Sequence, residues 1–143
     1  MVFYPPDVTL PTDAWSLFAR YTGIGCKDIA YIKRTIGMPG DKLEVKKSPD
    51  TGDYAVYIND KKLDEPYTNK YLPYTPCDEH TYCGPMTIPK GQYFMMGDNR
   101  GNSSDSRFWG LVSKDRFIGR AVYLFWPIKR AQVFHKPIYK IEN

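Results

Sequence analysis

Two stretches of this chain concentrate side chains that could do chemistry. The first is Tyr31-Ile32-Lys33-Arg34-Thr35-Ile36-Gly37-Met38-Pro39-Gly40-Asp41, in which two adjacent cations follow an apolar residue. Neighbouring side chains of a strand point to opposite faces, so Lys33 and Arg34 cannot share an environment. One of them therefore faces the side that Ile32 does not. Residue types alone also fit a solvated sheet edge that ends in a type II turn at Pro39-Gly40. The second stretch is Met96-Gly97-Asp98-Asn99-Arg100-Gly101-Asn102-Ser103-Ser104-Asp105-Ser106-Arg107-Phe108-Trp109-Gly110. It reads either as a hydrated loop whose Asp and Ser groups cap turns, or as a built polar site. Arginine forks preorganise carboxylates, and Phe108-Trp109 offers an aromatic wall against which such pairs can be buttressed. Gly97, Gly101 and Gly110 permit backbone turns closed to other residues.

The elements that must position these groups are short. Twelve prolines and eleven glycines punctuate the 143 residues into segments that read as mainly β. Strands are expected at Val2-Phe3-Tyr4, 30–36, 43–46, 54–58, 61–63 and 92–96, with 117–126 the longest, rich in β-branched and aromatic residues. Residues 13–21 place Trp15, Leu17, Phe18 and Tyr21 at a spacing that suits one short helix or an ordered loop, with Thr12 or Asp13 as N-cap. Without repeats, linkers or low-complexity tracts, the chain reads as one domain of mostly antiparallel β.

Composition bounds the function. Hydrophobic residues make up 42%, aromatic 15% and charged 25%, which excludes wholesale disorder. The net charge of +4 and pI near 8.9 are a mild excess spread along the chain. They do not argue for a nucleic-acid partner, and an anionic membrane surface suits them equally well. The longest strongly apolar run, from Ala121 to Ile128, is far below the roughly 18 residues that span a bilayer. Tyr4-Pro5-Pro6-Asp7 interrupts any apolar signal-peptide core at the start. Three cysteines occur, and Cys77 and Cys83 enclose five residues. Spacing is compatible both with a disulfide, worth roughly 2 kcal/mol and requiring an oxidising compartment, and with two unpaired thiols. A zinc site lacks ligands, because His80 and His135 lie far apart and no second cysteine pair exists. No metal or other cofactor is expected.

Together the two stretches carry a resemblance. Tyr31-Ile32-Lys33-Arg34-x-Ile36-Gly37-x-Pro39-Gly40-Asp41 resembles the lysine-bearing motif of type I signal peptidases. Gly97-Asp98-Asn99-Arg100-x-Asn102-Ser103-Ser104-Asp105-Ser106-Arg107 resembles their downstream signature, and Lys90 to Met96 and Arg107-x-Trp109-Gly110 also match. The similarity runs from residue 30 to about residue 127. It implies a compact antiparallel β-sheet or partly open barrel, and a membrane-anchored serine endopeptidase that removes signal peptides from exported preproteins on the extracytoplasmic side. Such enzymes use a Ser–Lys dyad in place of Ser-His-Asp. By this resemblance Lys33 is the general base and Ser103 the hydroxyl that orients its amine. Arg34, Asp98, Asp105 and Arg107 form the supporting polar network. Ala30, Tyr31 and Ile32 line the subsites of a substrate added as a β-strand, with small side chains preferred at the first and third positions before the cut. A lysine with a reference pKa of about 10.4 must be largely neutral to act as a base, which calls for burial among apolar neighbours. Tyr31, Ile32, Ile36, Phe108 and Trp109 are the residues at hand for that.

The chain departs from the family in one respect. The nucleophile belongs to a Ser-x-Met-x-Pro segment that follows the membrane anchor, and Met1-Val2-Phe3-Tyr4 resembles the end of the strand beyond it. None of the six serines, Ser16, Ser48, Ser103, Ser104, Ser106 and Ser113, sits in such a motif, and Ser16 is the only upstream candidate. Residues 1–143 are therefore expected to be a single catalytic domain truncated at its N-terminus, lacking the nucleophile and part of the oxyanion hole. The alternative is a non-catalytic relative that keeps a peptide-binding β-domain. A self-cleaving repressor-type peptidase shares Ser–Lys chemistry, but the stretch from Gly97 to Arg107 points away from it. Cys26 and residues 7–27 match nothing interpretable. Purified 1–143 is expected to leave a preprotein uncut; cleavage that disappears with Lys33→Ala would overturn this.

Overall fold

The computed structural model describes residues 1–10, 12–22, 29–68, 74–124 and 128–133. In chain order its elements are β1 (Val2–Phe3), α1 (Ala14–Thr22), β2 (Tyr31–Ile32), β3 (Arg34–Gly37), β4 (Lys42–Lys47), β5 (Tyr54–Ile58) and β6 (Lys61–Lys62). Then follow β7 (Met86–Thr87), β8 (Gln92–Met96), α2 (Ser106–Trp109), β9 (Val112–Ser113), β10 (Phe117–Gly119), β11 (Tyr123–Leu124) and β12 (Gln132–Val133). Every pairing is antiparallel, in sheets ordered β10-β1-β2, β3-β8-β9, β6-β5-β4-β7 and β11-β12, and the described strands do not close into a barrel. The molecule is mainly β, as the sequence predicts.

Alternation sets the registers. In β4 and β5, Leu43 faces Ile58 and Val45 faces Val56, which puts all four on the core side. Asn59 and Asp60 then turn the chain into β6 with φ of 52° and 66°, the two positive angles that a tight hairpin requires. The central strand is β8. Phe94 and Met96 point into a core with Ile36, Leu43, Val45, Val56, Ile58 and Ile88. Met95, on the opposite face, joins Phe3 and Val112 in a second core, against which Tyr31, Tyr93, Trp109 and Phe117 pack. With apolar neighbours on both faces, β8 reads as an unbroken run, Tyr93-Phe94-Met95-Met96, rather than an alternation.

Three expectations change. The single strand over 30–36 is two strands in different sheets: β2 pairs with β1, β3 pairs with β8, and Lys33 lies at the break. Its backbone is held there by Met1, whose carbonyl accepts from the Lys33 N–H at 3.0 Å and whose terminal amine donates to the Lys33 carbonyl at 2.6 Å. The expected long strand over 117–126 is also interrupted, as β10 ends at Gly119 and β11 begins at Tyr123. Among the described residues its β-branched side chains are not matched by a continuous partner, and Ile118 and Val122 remain about half exposed, at 51% and 50%. Phe125, Trp126 and Pro127 lie outside the described residues, as do Cys26 and His135. The loop after Asp105 holds a short helix, α2, where only turns are expected. At residues 13–21 the helical alternative is the one adopted, with Asp13 as its cap: the Ser16 N–H donates to Oδ2 at 2.9 Å.

Cys77 and Cys83 are bonded to each other, with Cα atoms 6.1 Å apart. The loop they close is stitched to β4, because the Val45 N–H donates to the Cys83 carbonyl at 2.7 Å. Among the described residues no helix is long and apolar enough to cross a membrane.

Gly37 shows how closely β3 lies on the core. A Cβ there would sit 2.2 Å from Ile88 Cδ1, 2.9 Å from Leu43 Cδ1 and 3.2 Å from Phe94 Cβ. Gly37→Ala should therefore destabilise the fold by about 1–3 kcal/mol through overpacking, read as a lower urea midpoint at unchanged slope.

Candidate functional site

Beyond its pairing with β9 at Gln92 and Tyr93, β8 has no strand on that edge among the described residues. Side chains from the following loop take that place. The Met95 N–H donates to Ser106 Oγ at 2.8 Å, and the Gly97 N–H donates to Asp105 Oδ2 at 3.1 Å. Asp105 also caps α2, accepting from the Arg107 N–H at 3.2 Å. The Arg107 guanidinium closes on it bidentately, with Nε and Nη2 each donating at 2.9 Å to a different oxygen. Both side chains are buried, at 0% and 1% exposure. Burial alone would raise the Asp105 pKa, but the hydrogen bonds and charge of Arg107 outweigh it and hold the carboxyl below the ordinary range.

Lys33 reaches this loop from the break between β2 and β3. Its Nζ donates to Ser103 Oγ at 2.7 Å, across 70 positions of sequence. Both residues are half-buried, and the Tyr31 ring lies 5.9 Å from the amine. Burial lowers the Lys33 pKa; Asp105 opposes this and Arg107 adds to it. Gly97 makes the contact possible, since a Cβ on it would fall 2.1 Å from Ser103 Oγ and 3.5 Å from Lys33 Nζ. An amine biased towards its neutral form beside a fixed hydroxyl is suited to accept a proton from a nearby nucleophile.

The neighbouring cation takes the other side. Arg34 donates from Nε and Nη2 to the two oxygens of Asp98, both at 2.8 Å, and its guanidinium lies 3.7 Å from the Tyr67 ring centroid. Lys33, Arg34, Asp98, Ser103, Asp105 and Arg107 thus come together at the end of β8. Ala30 and Ile32 are exposed on and beside β2, whereas Tyr31 is half-buried and packs edge-on against Phe3 at 6.4 Å. Among the described residues β2 has a strand neighbour, β1, on one edge only. A cleft of about 310 Å³ opens next to Ser103, lined also by Thr75, Gly101, Asn102, Ser104 and Phe108. Ser16 stands on α1 with its hydroxyl donated to Asp13 Oδ1 at 2.8 Å.

Sequence reasoning gave Ser106 no role of its own and passed over Glu65 and Tyr74. Glu65 pairs with the buried Arg100, Nη2 to Oε1 at 2.5 Å, and Tyr74 donates to its other oxygen. Asp64-Glu65-Pro66-Tyr67 carries no local signal for this. Only the question of what neutralises an arginine set among glycines and apolar strands would have led there.

Fold and site define an antiparallel β domain built around a half-buried lysine held by a serine. The chain matches the family described as signal peptidase, peptidase S26, over residues 1–126, and it belongs to that family. It is 43% identical over 101 residues to a probable signal peptidase I-2 of Synechocystis sp., covering 71% of this chain and 40% of that protein. It is 39% identical over 122 residues to signal peptidase IB of Staphylococcus aureus, covering 78% of this chain and 61% of the other. A solved signal peptidase I from Enterococcus faecalis is similar at 32% identity with a TM-score of 0.49, over 64% of this chain and 82% of that one. The chain thus spans about half the length of the curated relatives it matches.

Asp105→Asn leaves Arg107 buried without its counter-charge and should cost about 3–5 kcal/mol at neutral pH. Because the Asp105 pKa is depressed, its contribution is full above the ordinary value of about 3.9 and is lost as pH falls through the depressed one. Urea unfolding of both proteins should show a constant gap from neutral pH downwards that narrows only in strong acid.

Proposed function

We propose that this chain is the base-bearing β-domain of a signal peptidase I, a serine endopeptidase that cleaves signal peptides from exported preproteins. The observation that carries the reading is the contact between Lys33 and Ser103 inside the Asp105–Arg107 framework. Family membership supports the reaction class, and the β2 edge that has no strand neighbour among the described residues supports strand-wise binding of an extended peptide. The nucleophile is a serine supplied from outside residues 1–143, in a segment that also carries the membrane anchor, and the domain works on the extracytoplasmic side. Neutral Lys33 takes the proton of that serine as its oxygen adds to the scissile carbonyl, giving a tetrahedral intermediate. Lys33 passes the proton to the departing amine as the C–N bond breaks and the acyl-enzyme forms; water, deprotonated by Lys33, then adds to the acyl group, and the serine oxygen leaves with that proton. Ser103 keeps the amine aimed, and Arg34–Asp98 fixes the strand beyond it. A β-domain that binds signal peptides without cutting them is the second reading, and the same β2 edge would serve it as well.

The test is the chain joined to an anchor carrying Ser-x-Met-x-Pro, assayed on a preprotein with alanine at the first and third positions before the cut. Lys33→Met should lower kcat/KM by about 10²–10⁴-fold or more, and Ser103→Ala by less. Because only the neutral amine is a base, the rate should rise with pH through the lowered Lys33 pKa and level off short of the ordinary lysine value. Undiminished cleavage by Lys33→Met would end the proposal. Binding of the same peptide without cleavage in the intact form would establish the second reading.

A further inference from the structure

The backbone of Gly97 is held on both sides of its Cα. Its N–H is held by Asp105, as described. Its carbonyl accepts from Arg100 Nε at 2.9 Å. Arg100 is 1% exposed, and its charge is met by Glu65, whose side chain is 9% exposed. Nη1 of Arg100 donates to Glu65 Oε2 at 3.0 Å and to the Tyr74 hydroxyl at 2.5 Å. Tyr67 donates to Glu65 Oε1 at 3.1 Å, and Tyr74 donates to Oε2. The same Tyr67 ring underlies Arg34. Burial alone would lower the Arg100 pKa, but Glu65, with Tyr74, reverses this.

This arrangement matters because of what lies against Gly97. Ser103 Oγ occupies the space where a Cβ would be, so the glycine cannot shift towards the loop without displacing the hydroxyl. A hydrogen bond of 2.7 Å is lost with a displacement of about 1 Å. We infer that Glu65, acting through Arg100, is a positioning residue: it fixes the Gly97 carbonyl and thereby the distance between Ser103 and Lys33. The inference rests on the Ser–Lys reading for its functional meaning, while the grip itself is a matter of geometry.

A buried ion pair can be replaced by apolar residues with little loss of stability, which separates positioning from mere support. The double variant Glu65→Leu/Arg100→Met removes one charge of each sign, so the net field at Lys33 changes little. Three quantities are measured in chain 1–143: the thermal midpoint, hydrogen exchange of the Gly97 amide, and titration of Lys33 by the ¹³Cε shift of labelled lysine. Expected is a folded variant in which Gly97 exchanges about tenfold faster or more and Lys33 titrates closer to an ordinary lysine. Folded protein with both unchanged would overturn the inference. If the double variant does not fold, Glu65→Gln, which keeps shape and one acceptor, is judged by the same two readouts. If wild-type Lys33 already titrates as an ordinary lysine, the Ser–Lys reading fails, and Gly97 exchange alone decides whether the grip exists.

Discussion

An ionised carboxylate with no exposed surface is tolerable only when every direction around it offers a donor, and Asp105 meets that condition. It receives the Gly97 and Arg107 backbone amides and both arms of one guanidinium. Each of those bonds settles something else. The Arg107 amide starts α2, the Gly97 amide ends β8, and the guanidinium prevents the carboxylate from needing water. Ser106, next in sequence, then falls where it can accept from Met95. Among the described residues, the end of the central strand is thus completed on that edge by side chains rather than by another strand.

The placement of the site follows from β8 having two buried faces. Phe94 and Met96 anchor it to one core and Met95 to the other, so its position is determined from both sides. Arg34 lies across from Met96 in the ladder, which brings the preceding residue, Lys33, to the strand's end at Gly97. The break after Ile32 sends the backbone from one sheet to the next at the same point. Lys33 is therefore shared between sheets, and its amine sits at their boundary, where it is neither fully solvated nor fully enclosed.

Much of this was legible in the residues, and the failures have physical causes. Tight turns and alternating pairs act over a few positions, so β5 was readable to the residue, and Asn59-Asp60 could be recognised as the reversal into β6. The polar loop between Met96 and Gly110 stood out because its composition is costly to bury. What could not be read was partnership at a distance. Ala30 to Ile36 has uniform β character, yet its halves pair with β1 and β8, and nothing local distinguishes the two. Glu65 resembles any surface glutamate until Arg100 is placed beside it. The stretch beginning at Phe117 has high strand propensity, but propensity does not supply a neighbour, and the ladder stops at Gly119.

The contact between Lys33 and Ser103 closes over 70 positions, and that between Arg34 and Asp98 over 64. Loop-closure entropy must be met before such contacts give anything back, so they form only with the sheet that spans them. No short segment of the chain holds both the amine and the serine it meets. A nascent chain that has not yet presented Ser103 carries Lys33 as an ordinary charged surface residue. The lowered pKa that burial gives Lys33 is thus a property of the finished domain, acquired when its two cores consolidate and absent while the chain is incomplete.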